Sequence, residues 1–210
     1  PLPSLLTFPS AALQMTVSST SANDTSAGTG ARTIVVQGLD ANYNEVSETV
    51  TMNGQTPVTM VASLLRVNYA YVLTAGSGNG AAGDIYIGTG TVTDGVPATT
   101  YDVVKFDYNT TITGSWTVPA GYTAYVSQGL FSAGQAGGSN QIQGRLLTRG
   151  TNNIRRTAAV TSINNGTADY VFEYPIVIQE KTTVEATAIG SSSNNAVSSM
   201  FILVLVKEGP

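Results

Sequence analysis

An all-β fold of jelly-roll type is predicted by three observations on this 210-residue chain. Short runs rich in Val, Ile, Thr and Tyr recur at roughly ten-residue spacing, the rhythm of a sandwich or barrel. Clusters of Gly, Asn, Asp and Pro close nearly every run, and these are the residues that turns require. No stretch sustains the 3.6-residue apolar period of an amphipathic helix.

Taken in order, Arg32 to Leu39 is β-branched and stops at the turn-forming Asp40-Ala41-Asn42-Tyr43-Asn44. Glu45 to Met52 follows with Val46, Val50 and Met52 on one face, ending at Asn53-Gly54, so residues 32 to 52 predict a hairpin. Glu48 shares that apolar face and must reach an edge or a partner. Met60 to Ala75 is long enough for two strands or one bent strand, and Leu65, Val67, Tyr69, Tyr71 and Leu73 alternate on its odd positions, which are expected to face the core. After the Gly76 to Gly80 loop come Asp84 to Gly88 and Tyr101 to Phe106.

Ser115 to Val126 reads as strand, Pro119-Ala120-Gly121 turn, strand, since Pro presets φ at the corner and Gly tolerates positive φ. Strands are then expected over Gln141 to Thr148, Ile154 to Ile163, Ala168 to Ile178, Thr182 to Ile189 and Ser199 to Lys207. Their separators are Gly134 to Gly138, Gly150 to Asn153, Asn164-Asn165-Gly166, Gln179-Glu180-Lys181 and Ser191 to Asn195. Phe201 to Val206 lacks polar alternation, the pattern of a central strand buried on both faces. Residues 114–210 are expected to supply most of the sandwich and residues 1–113 further strands or a smaller sub-sheet. The alternative is two stacked sandwiches divided between Asn109 and Gly114.

Composition narrows the chemistry. The chain has no His and no Cys, and only 10% of it is charged, so imidazole proton transfer, soft-metal ligation and thiol nucleophiles are closed to it. It is not expected to be an enzyme, nor to need a cofactor or metal. With 42% hydrophobic residues it is too apolar for a disordered chain. Its longest apolar run, Met200 to Val206, is far short of the roughly 20 residues of a membrane-spanning helix, so no membrane partner is expected. Pro1-Leu2-Pro3 has neither a basic region nor a twin-arginine pair, so no signal peptide is expected there. Net charge is −4, with nine basic and thirteen acidic residues, which disfavours nucleic acid as a partner. The three basic and eight acidic residues of 1–113 against six and five in 114–210 give a mild asymmetry that would aid stacking of subunits. Without disulfides, a reducing compartment or a particle assembled in one is expected.

Several segments resemble structural proteins of tailed bacteriophage virions. Thr16 to Thr25 running into Gly30 to Thr33, then Gly38 to Glu45, Thr49 to Gly54, and Leu64 to Asn68 with Tyr71-Val72 are similar to a module of those proteins. Thr117 to Gly121, Gly144 to Arg149 and Ile202 to Val206 are similar to their β-sandwich components. The resemblance rests on turn and strand patterns over most of the chain. It implies a capsid decoration (cement) or head-spike protein on the virion surface, a homotrimer whose partners are its own copies and the major capsid protein or another virion protein. A tail, collar or fibre component and a host-glycan-binding module are the alternatives.

The candidate site is a subunit interface. Arg145, Arg149, Arg155 and Arg156 flank the Gly150 to Asn153 turn and fall across one hairpin, where guanidiniums could grip an acidic surface on a neighbour. The bland reading is a solvated edge that discourages strand aggregation. Asp40-x-Asn42-x-Asn44 resembles the start of a calcium loop. Glu45 stands where glycine is needed, however, and Thr51 where a carboxylate is needed, so a solvated hairpin turn is expected. Carboxylate pairs for glycoside hydrolysis would be Glu45 with Glu48, Asp102 with Asp107, or Glu173 with Glu185, but solvent-facing acids are far commoner than such pairs. Ten Tyr and one Trp invite sugar stacking, although core and interface packing accounts for them more simply. Asn23, Asn109 and Asn165 head glycosylation sequons of the kind that arise by chance.

Overall fold

Turn chemistry and β-branched runs give fifteen strands and no helix among the described residues, which in this computed structural model are 7–135, 142–164, 166–190 and 195–209. The expected turn residues 136–138, Asn165 and 191–194, and the first residue of the strand expected from Gln141, lie outside that range. The chain parts into two units, 1–113 and 114–210.

In the first unit β1 (Leu13–Ser19), β2 (Ala31–Leu39), β3 (Glu45–Thr51), β4 (Val58–Leu64), β5 (Arg66–Ala75), β6 (Ile85–Thr93), β7 (Val96–Lys105) and β8 (Thr110–Thr111) form one antiparallel sheet. Its order is β3-β2-β5-β8-β7-β6-β1-β4. The sheet curls until its two edges approach, and Glu48 fastens them: its carboxylate accepts the backbone amides of Val61 and Ala62 on β4 at 2.9 and 2.8 Å. The acid that interrupted an apolar face is thus the clasp of a nearly closed barrel, taking over donors that an edge strand would leave unpaired. Met15, Ile34, Val36, Met60, Ile85 and Ile87 fill the interior. Glu48→Ala is expected to cost about 2 kcal/mol, the scale of charge-assisted bonds. It should also speed amide exchange at Val61 and Ala62 selectively, which hydrogen-exchange NMR would detect.

One phase expectation is overturned. On β5 the residues packed into the barrel are Ala70 and Val72, while Tyr69 and Leu73 are 41% and 49% exposed. Pairing with β2 jumps from Gln37↔Tyr69 to Gly38↔Val67. This bulge at Asn68 inserts one residue, so Val67 points inward but Tyr69, Tyr71 and Leu73 point outward. Tyr69 and Tyr71 therefore lie side by side on the outer surface, ring centroids 5.6 Å apart.

The second unit contains β9 (Ser115–Thr117), β10 (Tyr122–Gln135), β11 (Ile142–Arg149), β12 (Arg155–Ile163), β13 (Gly166–Ile178), β14 (Thr183–Gly190) and β15 (Asn195–Lys207). They form two sheets, β13-β10-β15 and β12-β11-β14-β9. Gly121, with φ of +74°, completes the Pro119-Ala120-Gly121 turn that carries the chain from one sheet to the other. Pairings nest, β10 with β15 outside β11 with β14, and successive strands switch sheets except at the β11–β12 hairpin. This is jelly-roll winding. Val126, Leu146, Ile178 and Val184 fill one end of the interior, and Phe131, Ala133, Ile142 and Ile163 the other.

The second correction concerns β15, which is an edge strand and not a central one. Phe201 and Leu203 pack inward, but Ile202, Val204 and Val206 on the opposite face are 43%, 50% and 47% exposed. An apolar run without alternation makes both faces of the strand apolar. In this chain only one of them is covered by its own sandwich.

Candidate functional site

The β11–β12 hairpin brings the arginines together. Arg149 lies opposite Arg155 and Thr148 opposite Arg156, with Asn153 at φ +61° closing the turn. Val184 and Ala186 of β14 point into the sandwich, so Glu185 between them projects from the sheet's other face, and there it meets the hairpin. Arg149 Nε lies 2.6 Å from Glu185 Oε1 and Arg149 Nη2 donates to Oε2 at 3.1 Å, while Arg155 Nη2 lies 3.2 Å from Oε2. Arg149 Nη1 also donates to Asn153 Oδ1 at 3.1 Å. Glu185 is fully buried and Arg149 nearly so.

Two guanidiniums on one carboxylate leave a local charge of +1, and Arg149 is spent inside the fold, locking hairpin to sheet. Arg145 donates to Gln143 Oε1 at 2.6 Å. Arg155 is partly exposed, and Arg156, opposite Thr148 and so on the other face of the sheet from Arg149, lies on the surface.

One member of each carboxylate pair considered for catalysis is engaged within the fold. Glu48 clasps the barrel and Glu185 holds two arginines. Asp102 on β7 is 5% exposed, accepting from the Thr113 hydroxyl and from the Val103 amide. Burial pushes its pKa from 3.8 to about 6, against the opposing pull of those two hydrogen bonds. Because the folded state favours the protonated acid, its contribution is full below about pH 4, falls as pH rises to about 6 and is then flat, a loss of about 3 kcal/mol. Asp102→Asn is expected to flatten the dependence of melting temperature on pH between 4 and 6 and to raise stability at pH 7. A variant profile that keeps the wild-type slope would exclude Asp102 as its source.

Asp40 makes a turn of the expected solvated kind. Burial raises its pKa, but bonds from the Asn44 amide and side chain and the Asn42 amide outweigh this and hold it below the usual range. Those bonds, at 2.7 to 3.1 Å, direct the carboxylate at its own loop. Asn109 likewise spends its side-chain oxygen on the Ala81 amide at 2.7 Å.

What sequence reading missed is a face. On the β13-β10-β15 sheet, Val171, Val177, Met200, Ile202, Val204 and Val206 are all 43% to 77% exposed. Register makes them contiguous: Tyr125 lies between Val177 and Val204, Gln128 between Val171 and Ile202, and Leu130 beside Met200. On this face Asp169 takes a hydrogen bond from Gln128 at 3.0 Å, and Glu208 accepts one from the Thr123 hydroxyl at its end. Its sequence signal was the absence of alternation in Phe201 to Val206. No family model, curated protein or solved structure matches this chain.

Proposed function

We propose that the protein is a self-associating structural component, a capsid decoration protein of a tailed phage that binds the major capsid protein as a symmetric oligomer, a trimer. The observation that carries the self-association is the largely apolar face of the β13-β10-β15 sheet, on which Asp169 is held by Gln128. Monomeric proteins rarely leave an apolar patch above a few hundred Å² bare. Here it extends to a 13-residue edge strand with no proline and, apart from Lys207, none of the charges that normally guard a free edge. A face of this kind finds its match most directly in a second copy of itself, and closed symmetry then limits the assembly. The placement on a phage shell rests on the sequence resemblance. There, many repeated contacts would stabilise the assembled lattice by binding only that form.

The test is the mass in solution by light scattering. Wild type is expected to be oligomeric, and Ile202→Thr with Val204→Thr, which keeps β-propensity but makes the face polar, is expected to be a folded monomer. A wild-type chain that stays monomeric at every concentration would overturn self-association. Binding of the chain to purified shells, with gain of shell stability, tests the decoration role separately.

A further inference from the structure

Between the two sheets of the jelly roll, beside the edge strands β12 and β13, lies a cavity of about 220 Å³. Phe131, Phe172 and Phe201 line it together with Ala159, Thr161 and Tyr170. The rings of Phe131 and Phe201 meet edge to face, 5.3 Å between centroids. The Phe201 ring sits over Gly129, where an added Cβ would lie 2.8 Å from its Cε1. Gly144 makes the same allowance for Phe131, at 2.7 Å. A glycine inside a strand weakens it and commonly marks a place where another group approaches closely. Here the two glycines let the Phe201 and Phe131 rings that line the cavity lie flat against the strands.

At the mouth, Thr161 Oγ1 and Tyr170 OH are 2.6 Å apart, joining β12 of one sheet to β13 of the other. Tyr170 is 45% exposed and neighbouring Val160 55%, so the cavity opens to solvent beneath this hydroxyl pair. Its walls are phenyl rings and methyl groups, and its polar atoms lie at the rim. That is the arrangement of a small-molecule site, an apolar body with a few placed polar groups. A dry apolar cavity of about 150 Å³ in another protein accepts benzene, so this one has room for a larger ring.

We infer that this cavity binds a small aromatic molecule of one or two fused rings carrying a single polar group, the rings among the phenylalanines and the polar group at the Thr161–Tyr170 hydroxyls. The site belongs to the single sandwich and does not depend on the proposed assembly.

Indole is the probe. Titrated into the full-length protein and followed by NMR, it is expected to bind with a dissociation constant of roughly 0.1 to 1 mM, in keeping with the efficiency of small ligands. It should give intermolecular NOEs to the ring protons of Phe131, Phe172 and Phe201. Ala159→Leu, which adds carbon into the cavity, is expected to abolish those NOEs while the far-UV circular dichroism stays that of wild type. Should that variant not fold, the wild-type NOE map decides alone. Absence of NOEs to the three rings at millimolar indole, or NOEs confined to other residues, would overturn the site.

Discussion

Asp24→Ala is expected to destabilise the first unit by about 4 to 6 kcal/mol, since buried donors stripped of a charged acceptor each cost on the order of 1 to 3 kcal/mol. The Asp24 side chain is fully buried at one end of the barrel, and its two oxygens accept four donors. Oδ1 takes the amides of Ala31 and Ala82 at 2.6 and 2.8 Å, and Oδ2 the Gly83 amide at 3.1 Å and the Ser19 hydroxyl at 2.5 Å. Its backbone oxygen also accepts the Gly54 amide at 2.7 Å. One residue therefore pins the β1–β2 connection, the start of β2, the β5–β6 connection and the Asn53-Gly54 turn. Gly30 is part of the same device, since a Cβ there would lie 2.1 Å from Asp24 Oδ1. Asp24→Asn keeps the shape but turns an NH₂ toward amides that also donate, so a loss of about half that size is expected. Denaturant unfolding followed by circular dichroism measures both variants. Amide exchange at Ala31, Ala82 and Gly83 should rise first if the hub is the cause. A loss below about 1 kcal/mol for the alanine variant, the net worth of one ordinary hydrogen bond, would remove Asp24 from this role.

What could be read in the sequence was whatever is local. Strand runs and their closing turns need only neighbours, so the β2–β3 hairpin and the positive-φ glycines at 54 and 121 were legible, and with them an all-β jelly-roll fold. What depends on pairing was not. The phase of Tyr69 and Tyr71 turns on one extra residue opposite β2, and nothing about Asn68 announces a bulge. Phe201 to Val206 reads as a central strand buried on both faces, but an apolar run carries no information on strand order, and pairing puts it at a sheet edge with Ile202, Val204 and Val206 exposed. Asp24 stood among Ser, Asn and Thr as an ordinary loop acid, because its partners lie up to 59 residues away. Glu48 was the exception: an acid on an apolar strand face had to have a reason, and the barrel seam is that reason.

The arginine hairpin separates into a buried and an exposed part, and Glu185 tells them apart. Glu185→Ala leaves Arg149, 7% exposed, without its counter-charge, and breaking a buried ion pair from one side costs about 3 to 5 kcal/mol. Trp116 pairs with Val184 on the adjoining strand, so its fluorescence follows unfolding at this place. Arg149→Met with Glu185→Leu removes both charges and fills similar volume, and such swaps are often neutral. The double variant is therefore expected to recover most of the loss, leaving Arg155 free to turn into solvent. Arg145→Glu with Arg156→Glu should leave unfolding by Trp116 unchanged, because neither residue contacts Glu185, and any effect of that pair must then appear in association. If Glu185→Ala instead weakens association while leaving stability intact, the triad is part of the interface and not of the fold.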